Sequence, residues 1–536
     1  DPRLFHEGHR TMTHDRIHEP PLMVHMLIDG LNRYDERPCL FIGDTVLSYA
    51  EVRATASRMH QALKSKGLGV GSRVAILSGN RPEVLTNLAA MQVTGCCGTP
   101  LHPLGSLDDH AYVLEDAGIE TLVYDASAFD QRAAELKARL PGLKNLLAFG
   151  PTSVGEDYLA LAGRFTAEPL LAPDIRPDDV SSINYTGGTT GKPKGVMSTA
   201  RGGAYLTMLQ MAEWEFPEEL RMLMCTPLSH AAAAFFIPVL QRGGAFYVPR
   251  GFTPDLFFDM VEQHRITATM LVPVMIYTLL DSPRAATADL SSLQTVFYGA
   301  SAMSPARLRE GIEKWGHVFY QYFGQSEAPM ALANMKKAEH DLAKPERLAS
   351  CGRPAPWVHL ALLDDDNKPV APGQPGELCV RAPLVMKGYH NLPEQTAEAF
   401  AGGWLHTGDI ARFDSEGFLY IIDRKKDMVV TGGFNVFPRE VEDVISAHPA
   451  VAQVAVIGVP DERWGEAVKA LVVLKPGVEQ TDALREELIA RVKDAKGSVQ
   501  APKSLDFVVG IPVTPIGKPD KKALRATYWA GAARKV

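Results

Sequence analysis

Short apolar runs alternate with longer amphipathic stretches over most of the chain. Arg73-Val-Ala-Ile-Leu77 has strand length, and Arg81 to Thr94 has helical spacing before Gly95. Thr99-Pro-Leu101, Asp108 to Ala117 and Thr121-Leu-Val-Tyr124 repeat the alternation. Strands separated by helices of about ten to fifteen residues predict βαβ units and a parallel sheet. Before them, Met23 to Tyr34 reads as an amphipathic helix. Cys39-Leu-Phe-Ile42 and Thr45-Val-Leu-Ser48 flank Gly43-Asp44, which signals a hairpin. Tyr49 to Lys66 predicts a helix stopped by Gly67. Later strands are expected at Arg221–Cys225, Ala245–Val248, Ala268–Val272 and Thr295–Tyr298. Helices are expected at Ala204–Met211 and from Ala231-Ala-Ala-Ala234 onward.

The pattern changes near Asp423 to Lys426. Gly417 to Ile422 reads as a strand before it, and Val436-Phe-Pro-Arg-Glu-Val-Glu-Asp-Val-Ile opens a new helix after it. Strands at Val451–Val459, Ala467–Val473 and Leu505–Val509 and a helix at Asp482–Lys493 follow. That suffices for a separate unit of about a hundred residues. The expected fold is a large α/β N-terminal domain, 1–422, with parallel sheets and helices in several subdomains. A boundary at 423–426 then leads to a small α+β C-terminal domain, 427–536.

At 536 residues the chain is too long for one hydrophobic core. A net charge of -8 argues against non-specific binding of nucleic acid or anionic membrane. Positive charge for an anionic ligand must come from a few placed residues. The six cysteines are scattered with no C-x-x-C, so free thiols and a reducing cytoplasm are expected. Asp1 to Thr13 has no apolar signal-peptide core, and the apolar run Met270 to Leu280 is too short to span a bilayer. His6, His9, His14, His18 and His25 crowd the start of the chain. His14 and His18 have a metal-like spacing, but Pro20 and Pro21 cut any helix short, and a structural or solvated role is expected.

The stretch richest in chemistry is Tyr185-Thr-Gly-Gly-Thr-Thr-Gly-Lys-Pro-Lys-Gly-Val196. It packs four glycines, three threonines and two lysines into twelve residues after a predicted strand, Val180 to Tyr185. Glycines let successive N–H groups approach and cradle an anion. Thr186, Thr189 and Thr190 add hydroxyls, and Lys192 and Lys194 add charge, so Thr186 to Lys194 suits a polyphosphate. A Walker A loop, G-x-x-x-x-G-K-S/T, is excluded. Thr186 stands five residues before Gly191, and Pro193 follows Lys192 and interrupts any helix.

This stretch resembles the signature of the adenylate-forming superfamily of acyl-CoA synthetases, peptide-synthetase adenylation domains and beetle luciferases. Gly187 stands where that family usually has serine, and Gly188 and Gly191 match its glycines. Other stretches resemble the family in the same order. Tyr298-Gly299-Ala300-Ser301 is similar to its adenine loop. Gln321-Tyr322-Phe323-Gly324-Gln325-Ser326-Glu327 is similar to its Y-G-x-S/T-E motif. Trp404-Leu-His-Thr-Gly-Asp409 matches W-x-x-T-G-D, and Pro515-Ile-Gly-Lys518 is similar to its C-terminal P-x-G-K loop.

The resemblance implies a role for each. Ser326 would touch the α-phosphate, and Glu327 would hold Mg²⁺. Asp409 would accept the ribose hydroxyls beside Arg424. Lys426 would be the hinge of a mobile C-terminal domain, and Lys518 the catalytic lysine of adenylation. Gly432, Gly433 and Phe434 would line the channel for coenzyme A. His230 would border the acyl site, with Ala232, Phe235, Tyr298, Gln325 and Met330 as further candidates by motif position. An apolar pocket favours a hydrophobic acid. The implied reaction activates a medium-chain fatty, aromatic or alicyclic carboxylic acid with ATP and transfers it to coenzyme A. An amide synthetase using an amine, and a nucleotide-binding protein without turnover, are the alternatives. The expected partners are small molecules only, in the cytoplasm, with a homodimer left open.

Overall fold

The computed structural model describes residues 20–43, 45–186, 193–425, 427–431, 434–461, 463–513 and 519–529. Four sheets organise these residues. The first runs Gly388–Tyr389, Lys194–Thr199, Val180–Thr186, Cys97–Leu101, Arg73–Leu77, Thr121–Tyr124, Asn145–Ala148, Glu156–Asp157. Its middle is parallel, as the alternation predicts. Arg73–Leu77 pairs in parallel with Cys97–Leu101 on one side and Thr121–Tyr124 on the other, so the strand order reverses there. Between the first two strands runs the helix Pro82–Thr94, buried along most of its length and ended by Gly95 at φ +80°. A Cβ on Gly95 would also lie 2.9 Å from Val70 Cγ2.

A second sheet has nine strands and holds Arg221–Leu223 between Ala245–Tyr247 and Ala268–Leu271, all parallel. Strand order reverses again at Arg221–Leu223. In open α/β sheets, ligands bind beyond the carboxyl ends of strands at such reversals. Both sheets share one core, to which Val74 and Ile76 contribute from the first and Met222, Phe246 and Phe297 from the second. Arg221–Leu223 stops short of the expected Cys225. The alanine run forms a tight turn, Ala231–Phe235, before the helix Phe236–Gln241.

The third sheet is antiparallel: His359–Leu363, Gly376–Arg381, Leu405–Phe413, Leu419–Arg424. Periodicity alone predicted parallel sheets and did not reveal this one. The small domain follows, with long antiparallel strands Val451–Asp461 and Gly465–Leu474 and Ser504–Phe507 in parallel beside the second. Helices Pro438–Ser446 and Asp482–Lys496 join Val441, Ile445 and Leu488 to Val456 and Val468 in its core. The parts therefore match the expected large α/β domain and small α+β domain. Among the described residues no helix is long and apolar enough to cross a membrane.

Candidate active site

The strands Val180–Thr186 and Lys194–Thr199 are antiparallel, with Thr186 opposite Lys194. The glycine-rich stretch therefore bridges a hairpin, whereas a Walker A loop joins a strand to a helix. Gly187, Gly188, Thr189, Thr190, Gly191 and Lys192 lie outside the described residues. Gly388–Tyr389 pairs along the same hairpin, with Tyr389 opposite Val196. The Lys194 ammonium stands 4.7 Å from the centre of the Tyr389 ring. Tyr389 Oη donates to Glu327 Oε1 at 2.9 Å, and the Glu327 carbonyl accepts the Met386 N–H at 2.8 Å. Burial and then the Glu327 charge push the Tyr389 phenol well above its ordinary value, while Arg424 works against that rise.

Asp409 is 3% exposed, and its Oδ1 accepts from Arg424 Nε at 2.7 Å. The two residues face each other across neighbouring strands of the third sheet. Arg424 also donates to the Thr407 carbonyl at 3.3 Å, and the Asp409 N–H donates to Thr407 Oγ1 at 3.1 Å. Thr407 thus holds both members of the carboxylate–guanidinium pair.

Strands Thr295–Tyr298 and Phe319–Gln325 run in parallel, so Gly299-Ala300-Ser301 leaves the second sheet alongside the last residues of the second strand, which Ser326 follows. A Cβ on Gly299 would lie 2.4 Å from the Tyr322 carbonyl oxygen, so only glycine fits there. Ala300 and Met330 hold φ of +65° and +57°, a strained region for residues other than glycine. Alternation along the strand sends Tyr322 into the core, stacked on Trp214 at 5.2 Å. Phe323 is only half-buried and keeps a face toward solvent. Ser301 is half-buried and Ser326 exposed.

His230 is exposed beyond the reversal of the second sheet. Its Nδ1 lies 2.9 Å from Ser229 Oγ, and its ring meets the His102 ring edge-on at 5.0 Å. Asn80, just past Arg73–Leu77, donates to the carbonyls of Met224 and Thr226 and accepts the Leu228 N–H. One side chain thus joins the carboxyl ends of the two sheets. Gln325 is half-buried and Met330 buried near this edge. Ala232, Phe235 and Tyr298 have 0% exposure. Phe235 packs against Trp214 and Phe297, and the Tyr298 hydroxyl meets Gln321 and His340. These three fill cores and line no solvent-accessible cavity here.

Lys426, Gly432, Gly433 and Lys518 lie outside the described residues, as do His6, His9, His14 and His18. Phe434 is 60% exposed. Lys522, four residues past Lys518, lines a cavity of about 710 Å³ with Pro193, Tyr112, Asp108 and Arg139. The C-terminal segment of the small domain thus stands beside the glycine-rich hairpin. At the junction, Asp423 of the boundary segment accepts the Arg439 N–H at 3.0 Å in the first turn of the helix Pro438–Ser446. Lys521 pairs with Glu442 at 2.7 Å, and Arg525 with Asp427 at 2.9 Å. Among the described residues no cluster of three His, Cys, Asp or Glu could hold a metal by protein ligands alone. Sequence reasoning missed Asn80 and Tyr389, neither of which sits in a recognisable local motif; it placed Asp423 at the boundary but not its bond to Arg439.

A glycine-rich hairpin beside two reversals of strand order, with a small α+β domain following, is the architecture of an α/β enzyme of the adenylate-forming class. The chain belongs to the AMP-binding enzyme family, whose model matches residues 29–390, and the AMP-binding enzyme C-terminal domain matches residues 440–518. It is 52% identical to the medium/long-chain-fatty-acid–CoA ligase FadD8 of Mycobacterium tuberculosis, over 96% of this chain and 91% of that one. It is 34% identical to a feruloyl-CoA synthase of an Amycolatopsis species, over 91% and 95%. Among solved structures, the amide bond synthetase McbA from Marinactinospora thermotolerans superposes with a TM-score of 0.86 at 32% identity, over 94% and 99%.

Proposed function

We propose that this protein is an AMP-forming acid–thiol ligase that activates a hydrophobic carboxylic acid with ATP and passes the acyl group to coenzyme A. The observation that carries the reading is the joining of Lys194, Tyr389 and Glu327 at the glycine-rich hairpin, together with the buried Asp409–Arg424 pair of the third sheet, which would offer phosphate and ribose contacts. The similarity to a fatty-acid–CoA ligase and a feruloyl-CoA synthase supports a fatty or aromatic acid as substrate.

In the first step a carboxylate oxygen of the acid attacks the α-phosphorus of ATP. The bond to the bridging oxygen breaks, and pyrophosphate leaves with the electron pair. Such transfer needs alignment and charge neutralisation more than covalent help from the protein. The hairpin N–H groups, Thr186 and Lys194 hold the phosphates, Ser326 contacts the α-phosphate, and Asp409 with Arg424 orients the ribose. Gly299 to Ser301 and Phe323 receive the adenine. Glu327 offers the single carboxylate that Mg²⁺ uses when substrate phosphates complete its shell. Bound there, Mg²⁺ would neutralise phosphate charge. Lys518 approaches from the small domain and offsets charge on the reacting oxygens.

In the second step the coenzyme A thiolate attacks the acyl carbonyl carbon, and AMP leaves. Residues 1–422 form the adenylating body, 423–426 the hinge with Lys426, and 427–536 the moving domain. Rotation about that hinge brings Gly432, Gly433 and Phe434 to the thiol channel. His230, Gln325 and Met330 border the acyl group. The McbA likeness favours one second reading, transfer of the acyl group to an amine.

The deciding assay supplies ATP, Mg²⁺ and a panel of fatty, aromatic and alicyclic acids, with coenzyme A or with an amine pool. Acyl-CoA and AMP formed together support the ligase. Amide without acyl-CoA moves the assignment to the second reading. Absence of any adenylate across the panel removes both.

A further inference from the structure

The carboxylate of Glu377, on the strand Gly376–Arg381, gathers groups from both strands that carry the ribose pair. Its Oε1 accepts the Gly408 N–H at 3.1 Å. Its Oε2 lies 3.2 Å from His406 Nδ1 and 3.4 Å from Lys425 Nζ. Lys425 is further held by Asp365 at 2.8 Å, and its own N–H donates to the Gly408 carbonyl at 2.9 Å. His406 is anchored at its far nitrogen by the Ala401 carbonyl at 3.1 Å. Glu377 therefore touches the residues on either side of Thr407 and the residue after Arg424. Its side chain is 12% exposed, and a charged group so enclosed is costly without such partners.

The turn that Glu377 holds is conformationally demanding. Gly408 sits at φ +69°, immediately before Asp409. With its N–H fixed by Glu377 and its carbonyl by Lys425, Gly408 has both backbone polar groups held. The turn entering Asp409 is thus held by this network together with Thr407, which accepts the Asp409 N–H, and Arg424, beside Lys425, is set from the other strand. We infer that Glu377 is the positioning residue of the ribose clamp: it fixes the Gly408 turn and Lys425 so that Asp409 and Arg424 meet the ribose in one geometry. This rests on the assignment of Asp409 to the ribose. Glu377 itself touches no substrate. Its position next to the residues that lead into the small domain also ties ribose recognition to the point where that domain begins.

The test is discrimination between ATP and 2′-deoxy-ATP in pyrophosphate release, measured on the full chain for wild type and Glu377→Gln. Gln keeps the shape and one acceptor but loses the charge that attracts Lys425. The expected result is a wild-type preference for ATP that falls about tenfold in Glu377→Gln, through KM for the nucleotide more than kcat, the scale of a lost charged hydrogen bond. Glu377→Asp, which retains the charge, is expected to recover part of it. Lys425→Met, at a half-exposed site, tests the same strap should Glu377→Gln not fold; it is expected to reduce the preference in the same direction. Unchanged discrimination in the folded variants, with wild type discriminating normally, overturns the role of Glu377 alone. A wild type that does not distinguish the two nucleotides overturns the ribose assignment of Asp409, and this inference with it.

Discussion

Tyr389 donates from its hydroxyl to Glu327 across 62 residues of sequence, at 2.9 Å. The bond fixes one oxygen of the proposed metal-holding carboxylate and presents the tyrosine ring to Lys194. Removing the hydroxyl in Tyr389→Phe keeps the ring under Lys194 but frees Glu327. Hydrogen bonds to charged groups contribute about 1.5–3 kcal/mol, so adenylation should slow about tenfold or more. Steady-state pyrophosphate release at saturating acid, with a thermal melt as the folding control, measures this. A variant that turns over at the wild-type rate would show that Glu327 needs no such anchor.

Asn80 is the second long-range clamp. It satisfies the Met224 and Thr226 carbonyls and the Leu228 N–H, which stand at the carboxyl end of the strand leading to His230. Asn80→Ala leaves these backbone groups without that partner at a half-buried site. The expected destabilisation is about 2–3 kcal/mol in urea unfolding, from several lost hydrogen bonds. KM for the acid should rise with it, because the segment bearing His230 is no longer tied to the first sheet. A loss of stability with unchanged KM would confine Asn80 to holding the sheets together.

The contrast between these clamps and the motifs shows what sequence can carry. Thr186 to Lys194 stands out in the sequence because its chemistry is local, with glycines, hydroxyls and charges within a few residues, whereas Ser326-Glu327 and Asp409 are proposed only through resemblance to family motifs. Asn80 reaches 146 residues to Thr226, and Glu377 reaches 31 to Gly408. A lone asparagine or glutamate in such a place reads as an ordinary polar residue. Strand periodicity revealed the parallel centre of the first sheet, where both faces are buried and the runs are apolar. It did not reveal Lys194–Thr199 or the antiparallel third sheet. Their residues mix polar and apolar types, and pairing depends on distant neighbours. Motif position likewise proposed Tyr298 for the acyl site. The pleat instead turns its ring into the core, where His340 and Gln321 satisfy the hydroxyl.

Lys518 gives a prediction that separates the two half-reactions. Lys518→Ala should reduce acyl-AMP formation by about two to three orders of magnitude, the scale on which a charge-stabilising donor acts. ATP binding should persist, since Asp409, Arg424 and Glu327 remain. Transfer from chemically supplied acyl-AMP to coenzyme A should proceed near the wild-type rate. Equal losses in both half-reactions would mean that the lysine holds the small domain in place and does not act on the first step.

The junction between domains predicts a dependence on pH. Burial raises the Asp423 carboxyl to about 6, with Lys521 opposing and Glu442 adding to the rise. Burial likewise raises Asp443 to about 6, against Arg439, with Glu442 and Glu440 adding to the rise and Lys496 opposing it. Burial works to lower the Lys521 ammonium, but Glu442, Asp423 and Asp427 more than offset it and leave it raised. Both carboxyls thus bind a proton more tightly in the docked arrangement than in water, where an aspartate titrates near about 4. Linkage then fixes the sign: docking gains as pH falls from about 6 toward about 4, and ionisation opposes it above about 6. Dyes on the two domains, read by energy transfer from about pH 4 to 8, should show the docked population falling between about pH 4 and 6 and level above that. Asp443→Asn removes one ionisation while nearly keeping the volume. It should flatten that profile and leave the docked population higher at pH 8. A profile with the same slope in the variant would place the titrating group elsewhere than at this junction.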